Sequence, residues 1–246
     1  MDRYIISSDE HYFVGRIYDL SIVEMHFDSC EDLSKIGHCK YVSDVNREIS
    51  ILVNRVESLN LVGGMIWLDL NSDQTFKYPV TKFEWLTIVM DVFLIRYISV
   101  LDCAVQLANE IFEVGLSRKR CSIDRRESGG VPSNALDILK KIQTDQGLLR
   151  DERNARVHHG LERSYTDDDL TFRLAAIFEQ WGSSIVGTDR LGRSINLEVF
   201  FEEALNNPKN EFSETCGRLS ICLDELYDNL SIEFEARLRK KLDEDI

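Results

Sequence analysis

The stretch EFSETCGRLSICLDELYDNLSIEFEARLRKKL, residues 211–242, decides the fold class. Large apolar side chains recur every three or four positions through it, at Leu219, Leu223, Leu226, Leu230, Phe234, Leu238 and Leu242. This period places them on one face of an α-helix, and that face must be buried against other elements. We therefore predict a long amphipathic helix here, preceded by a separate helix over about 196–206.

Most of the remaining chain has the same helical period. Thr81 and Glu84 have the spacing of a capping box, and they predict the start of a long helix over roughly 82–116. The other predicted helices cover residues 46–60, about 133–144, 148 through 157, and 170 to about 184, the last capped within 167–169. Three prolines in 246 residues agree with a mostly helical chain, because proline breaks helices.

Two stretches are less regular. Residues 10–36 favour a helix, although the alternation of Val23, Met25 and Phe27 leaves a strand open. Residues 63–78 begin with two glycines and contain two apolar runs, 65–70 and 75–78, separated by a polar turn, which predicts a short β-hairpin. The predicted fold is thus an all-α helical bundle with at most one short β-hairpin.

The protein is strongly acidic, with a net charge of −14. An acidic chain does not coat nucleic acid non-specifically or bind an anionic membrane surface. Residues 111–195 are the exception, because acidic and basic residues nearly balance there while the rest of the chain is acidic. A phosphate-bearing partner is therefore expected to contact this middle third.

The six cysteines form no Cys-x-x-Cys pair. Cys30, His38 and Cys39 lie close together, but a structural zinc site requires four well-spaced ligands. We expect reduced thiols, with neither a metal nor a cofactor, as in a cytoplasmic protein.

The apolar segments do not predict a membrane protein. The first ten residues, MDRYIISSDE, carry four charges where a secretory signal would need an apolar run. The most apolar stretch, residues 86–105, contains Asp91, Arg96 and Asp102. These charges favour a buried helix over a membrane span.

The segment LLRDERNARVHHG, residues 148–160, carries the candidate chemistry. On a helix, Asn154 and His158 share one face, and the long side chain of Arg153 can reach the same pocket. Imidazole transfers protons near neutral pH, a guanidinium binds phosphate, and an amide can orient either group. The alternative is structural, with this Arg and this His forming surface ion pairs with nearby acidic residues.

This arrangement resembles the R-x4–6-H signature of the HEPN superfamily (higher eukaryotes and prokaryotes nucleotide-binding domains). The octapeptide RNARVHHG sits early in a predicted helix of an all-α chain, and Asn154 matches the polar residue that commonly follows the arginine. The resemblance implies a bundle of four or five helices at 81–186. Residues 1–80 and 187–246 then supply additional N- and C-terminal helices that pack on this core as one compact unit.

The resemblance also implies a mechanism and partners. Active members are metal-independent ribonucleases in which the motifs of two protomers face one cleft. Arg153 would bind the scissile phosphate, His158 would act as general acid or base for attack by the RNA 2′-hydroxyl, and Asn154 would orient either group. RNA, a second copy of the chain, and a protein antitoxin or regulator are the implied partners, in toxin–antitoxin or phage-defence settings.

Further residues complete the predicted site. The predicted RNA-binding residues are basic and lie beside the motif or in the preceding loop: Arg150, Arg156, Arg118, Lys119, Arg120, Arg125 and Arg126. Asp91 and Asp102 on the long helix are predicted to orient Arg153 or His158, since a buried carboxylate needs a partner. The alternatives are a solvated basic loop and a solvent-facing acidic stripe. At the level of the whole protein, they are a non-catalytic HEPN-like scaffold or a helical protein with a structural Arg and His.

Overall fold

The computed structural model describes residues 6, 10–70, 79–117, 123 and 130–245. The α-helices are α1 (Tyr12–Ser21), α2 (Cys30–Ser34), α3 (Gly37–Ile66), α4 (Lys82–Ile111), α5 (Ser133–Asp145), α6 (Gly147–His159), α7 (Asp169–Gln180) and α8 (Leu197–Glu244). A 3-10 helix, Ile22–His26, follows α1. No strand occurs within these described ranges, apart from an isolated antiparallel bridge between Thr188 and Ser194. The prediction of an all-α fold is confirmed.

One hydrophobic core joins the three predicted segments of the chain. The most extensive helix–helix interface is between α3 and α4, and α8 packs against both and against α5. Ile49 of α3, Phe93 of α4 and Leu230 of α8 are fully buried in this core. Burying an aliphatic or aromatic side chain of this size contributes about 1.5–3 kcal/mol. The long central helix α4 therefore provides a rigid support for whatever packs on it.

The start of α4 is as predicted, whereas its end comes earlier. Thr81 and Glu84 form the complete capping box, each side chain bonding the backbone of the other. The helix ends at Ile111 and not near residue 116, because Glu113 adopts a left-handed conformation (φ 48°). The buried Asn109 side chain then bonds both backbone groups of Leu116 and closes the end of the helix.

The predicted hairpin is wrong in its first strand. Helix α3 continues through Gly63 to Ile66, so the start of the predicted strand at 65–70 is helical. Leu59, Val62 and Ile66 are buried along this last stretch. Packing of that face stabilises the helix by more than the glycines weaken it. The predicted turn and second strand, 71–78, lie outside the described residues.

The predicted break near residue 208 does not occur either. Helix α8 is continuous, with Pro208 inside it. Proline removes one backbone hydrogen bond, which normally ends a helix. Here the buried Leu205 and Phe212 on either side of Pro208 belong to the same core, and this packing holds the two halves as one helix.

The N-terminal segment is helical, and the strand that the sequence left as an alternative does not form at residues 23–27. Residues 10–36 form α1, the 3-10 helix and α2, and Met25 is 84% exposed. Its alternation with Val23 and Phe27 is therefore not that of a half-buried strand. The predicted cap within 167–169 is confirmed, since the Asp168 side chain accepts from Thr171 N–H at the start of α7.

Of the described helices, α3 has the length and apolar composition that a membrane span requires. Half of its most apolar stretch is buried in the protein. Core helices meet the same criteria, so this observation is weak evidence for a span. The stretch predicted to be a buried helix, 86–105, lies within α4 and supplies much of the core.

Candidate functional site

The motif is carried by α6, which is bonded to α4 at its start and closed by a glycine at its end. At the start, the fully buried Gln146 lies between α5 and α6, and its Nε2 donates to the Tyr97 carbonyl of α4 at 2.7 Å. At the end, Gly160 adopts a left-handed conformation (φ 63°) and donates to the Arg156 carbonyl. The motif therefore occupies the C-terminal half of its helix, whereas the sequence analysis placed it early in a helix.

A pocket of about 330 Å³ lies between α4 and α6. Asp91, Leu94 and Ile95 line it from α4, and Arg153, Arg156 and Val157 line it from α6. Gly160, Leu161 and Glu162 complete the rim beyond the end of α6. Apolar walls with a few converging polar groups are typical of small-molecule sites.

The two arginines of this pocket have different surroundings. The Arg156 side chain is only 8% exposed, and its Nη2 lies 2.6 Å from Asp91 Oδ1. Burial lowers the pKa of Arg156, but Tyr165, Asp91 and Glu152 outweigh that effect and raise it above its ordinary value. Arg153 is half-buried, its Nε is buried without a hydrogen-bond partner, and its guanidinium has no ion pair in the part of the chain that the structure describes. Arg156 is thus structural in this geometry, and Arg153 is available to a ligand.

Asn154 and His158 lie on a different side of α6 from the pocket. At about 100° per residue, His158 is about 140° around the helix from Arg153. His158 and the neighbouring His159 are exposed, and Asn154 is half-buried. Neither Asn154 nor His158 lines the pocket. One chain therefore does not place His158 in the same pocket as Arg153, contrary to the sequence-based expectation.

The carboxylates behave differently from the prediction. Asp91 pairs with Arg156, not with Arg153 or His158. Asp102 is exposed and lies three turns further along α4, about 16 Å from Asp91 at 1.5 Å per residue. It cannot reach the pocket, and the solvent-facing alternative describes it correctly. Arg150, predicted to bind RNA, donates from Nη2 to Gln146 Oε1 at 3.2 Å.

An ion cluster next to the pocket was missed by the sequence analysis. Arg163 folds back from the segment after α6 and bonds Glu152 on α6 and Glu211 on α8, with Nε–Oε1 and Nη1–Oε2 distances of 2.7 and 2.6 Å. Burial lowers the pKa of Arg163, but these two carboxylates raise it well above its ordinary value. The spacing of Glu152 and Arg156, four residues apart, was the one local signal for this cluster.

The five basic residues of the predicted loop lie outside the described residues: Arg118, Lys119, Arg120, Arg125 and Arg126. The described parts of the chain contain no group of three or more His, Cys, Asp or Glu residues suited to a metal ion. His38, considered as a zinc ligand, instead bonds Asp245 through its Nδ1 at 2.7 Å.

No protein-family model, curated protein or solved structure matches this chain.

Proposed function

We propose that this protein is a metal-independent endoribonuclease of the HEPN type, with a composite site formed by two copies of the chain. The proposal places Arg153, Asn154 and His158 of the two copies along one RNA-binding cleft. A cytoplasmic location and a protein antitoxin or regulator belong to the same proposal.

The proposal rests on Arg153, which has no partner within the described residues although the neighbouring arginines are each bonded to another side chain. Arg150 bonds Gln146, Arg156 pairs with Asp91, and Arg163 bonds two glutamates. Arg153 lies among them on the pocket and has no such partner within the described residues. A free guanidinium beside a pocket can bind a phosphate with two parallel hydrogen bonds.

The exposed His158 supplies the proton chemistry. One imidazole takes the proton from the RNA 2′-hydroxyl, whose oxygen attacks the adjacent phosphorus. The bond from phosphorus to the 5′-oxygen breaks, and a second imidazole protonates that leaving oxygen. The products are a 2′,3′-cyclic phosphate and a 5′-hydroxyl. Arg153 stabilises the charge on the phosphoryl oxygens in the transition state, and Asn154 orients the phosphate or the imidazole.

Two copies are invoked because the HEPN resemblance implies a composite site, in which Arg153 of one copy can face His158 of the other. A single chain presents them about 140° apart, so one copy does not surround a phosphate with both groups. Two motifs related by a two-fold axis provide two imidazoles, one as base and one as acid, and two guanidiniums.

The test is RNA cleavage by the wild type and three single variants. We expect Arg153→Ala to lower the rate about 10²–10³-fold and His158→Ala about 10²–10⁴-fold. His159→Ala is the matched control, since His159 is also exposed at the next position of α6, and it should cost much less. Activity should persist in EDTA and vanish on 2′-deoxy substrates. Equal cleavage by the wild type and the Arg153→Ala/His158→Ala double variant would exclude this site.

A second candidate is a non-catalytic HEPN-like binding module. It is favoured by the absence of His158 from the pocket that Arg153 lines. On this alternative, purified protein cuts no RNA from a broad panel, yet Arg153→Ala still weakens binding of its partner.

A further inference from the structure

Three large aliphatic side chains converge on the pocket between α4 and α6 while remaining open to solvent. Ile95, Val157 and Leu161 are 49%, 59% and 60% exposed, respectively, and all three line the same cavity. Single exposed aliphatic residues are ordinary, whereas several around one concavity mark a binding site. The walls therefore suit a flat or apolar group of a ligand.

The polar groups of the same pocket are one cation and two carboxylates. Arg153 stands at its edge without a partner among the described residues. Asp91 lines the pocket, uses Oδ1 for Arg156 and has a side chain that is 46% exposed. Glu162 is exposed on the rim and has no partner within the described part of the chain. A matching ligand carries a negative group for Arg153 and N–H donors for the carboxylates.

We propose that this pocket binds one base of an RNA strand, with the adjoining phosphate on Arg153, and that it selects guanine. The inference rests on the proposed function, because Arg153 holds the phosphate in both. A volume of about 330 Å³ is at the lower end for small-molecule sites, which leaves room for one nucleotide. Apolar side chains can sandwich an extruded base, as aromatic ones do.

The acceptors on the rim set the preference among the bases. Guanine presents two adjacent donors, N1–H and N2–H, which match the two oxygens of the Glu162 carboxylate. Cytosine and adenine each present one amino group to such an acceptor. Uracil has a single N–H between two carbonyl oxygens, and these oxygens are repelled by a carboxylate. The expected order is guanine first, cytosine and adenine next, and uracil last.

The experiment measures binding of uncleavable mononucleotides to the full chain by calorimetry. Guanosine 3′-monophosphate should bind at least about tenfold more tightly than uridine 3′-monophosphate, a ratio within the range of one specific base contact. Inorganic phosphate should bind more weakly than either. Equal affinities for the two nucleotides would overturn the proposal, as would binding of a leucine-ending peptide in place of nucleotides.

Two exposed positions allow variants that keep the fold. Leu161→Ala should weaken the binding of both nucleotides several-fold. Leu191→Ala should leave binding unchanged, because Leu191 is similarly exposed, at 59%, but does not line the pocket. Glu162→Gln should reduce the preference for guanosine over uridine. Equal effects of the two leucine variants, or an unchanged preference in Glu162→Gln, would exclude the pocket as a base site.

The two proposals can fail separately. If guanosine monophosphate binds as expected but no RNA is cut, the ribonuclease proposal fails and the base pocket stands. If RNA cleavage requires His158 but the nucleotides bind equally, the base pocket fails and the ribonuclease proposal stands.

Discussion

Arg156 on α6 and Asp91 on α4 form an ion pair, with Nη2 and Oδ1 2.6 Å apart, one turn from the unpaired Arg153. Glu152 lies 3.5 Å from Arg156 Nη1 and also bonds Arg163. Two neighbouring arginines therefore have separate roles. Arg156 fixes the distance between the two helices that enclose the pocket, and Arg153 remains available at its edge.

Stability should distinguish these two arginines. Arg156→Ala removes the positive charge that pairs with Asp91 and Glu152, and we expect the free energy of unfolding to fall by about 1–2 kcal/mol. This is less than the 3–5 kcal/mol for a fully buried pair, because Asp91 is nearly half exposed. Arg153→Ala removes no ion pair or hydrogen bond within the described residues, so it should change the free energy of unfolding by less, about 0.5 kcal/mol. Urea unfolding followed by circular dichroism measures both, and a larger loss for Arg153→Ala would reverse the assignment.

A composite site makes cleavage depend on protein concentration. We expect sedimentation velocity to give a dimer at micromolar concentration, with specific activity falling as the protein is diluted below its dissociation constant. His159→Ala should follow the same curve. A strictly monomeric protein with undiminished specific activity would contradict the two-copy arrangement.

Periodicity predicted most of the fold because the buried faces of the helices are long. The pattern from Leu219 to Leu238 and the Thr81–Glu84 capping box both correspond to features of the structure. The errors at Gly63 and Pro208 have one cause. Residues with low helix propensity were taken as breaks, although burial of the neighbouring side chains outweighs propensity in a helix that spans the core.

The candidate site was less predictable because it depends on contacts distant in sequence. The spacing of Arg153 and His158 identified the helix that carries them, but nothing local indicated that Asp91 would pair with Arg156. The Arg163–Glu211 contact joins residues 48 positions apart. Which arginine is free is decided by such contacts, and they are set by the packing of α4, α6 and α8.

Thiol reactivity should follow burial. Cys216 is fully buried in α8, and burial raises the pKa of its thiol to about 12, while Cys30 is exposed. Because the thiolate is the nucleophile, we expect iodoacetamide to modify Cys30 about a hundredfold faster than Cys216 in the native protein. Peptide mass spectrometry of timed samples measures each site. Equal rates under native conditions, as in urea, would indicate that the end of the core around Cys216 opens readily.

Asp245, at the end of α8, caps the start of α3, which lies 208 residues earlier in the chain. The N-cap residue of α3, Ile36, provides no side-chain hydrogen bond. Instead, the Asp245 carboxylate accepts from the backbone N–H of Gly37 and His38, at 3.3 and 2.9 Å. These bonds occupy orphan donors and place a negative charge at the positive end of the helix dipole. They should tie the end of α8 to the start of α3.

The same contacts make this stabilisation dependent on pH. Hydrogen bonds from the His38 backbone and ring lower the pKa of Asp245 below its ordinary value of 3.8. A folded pKa below the unfolded one means that the contribution is fully present above the unfolded value and is lost as the pH falls through the folded one. Asp245→Ala should therefore lower the free energy of unfolding at pH 7, and the difference from wild type should shrink toward pH 3. Asp243→Ala is the matched control, since it removes an exposed carboxylate near the same helix end without removing the cap. Urea unfolding at both pH values measures the stability of each variant. If Asp243→Ala and Asp245→Ala destabilise the protein equally at pH 7, the charge at the end of α8 is responsible and capping of α3 is not.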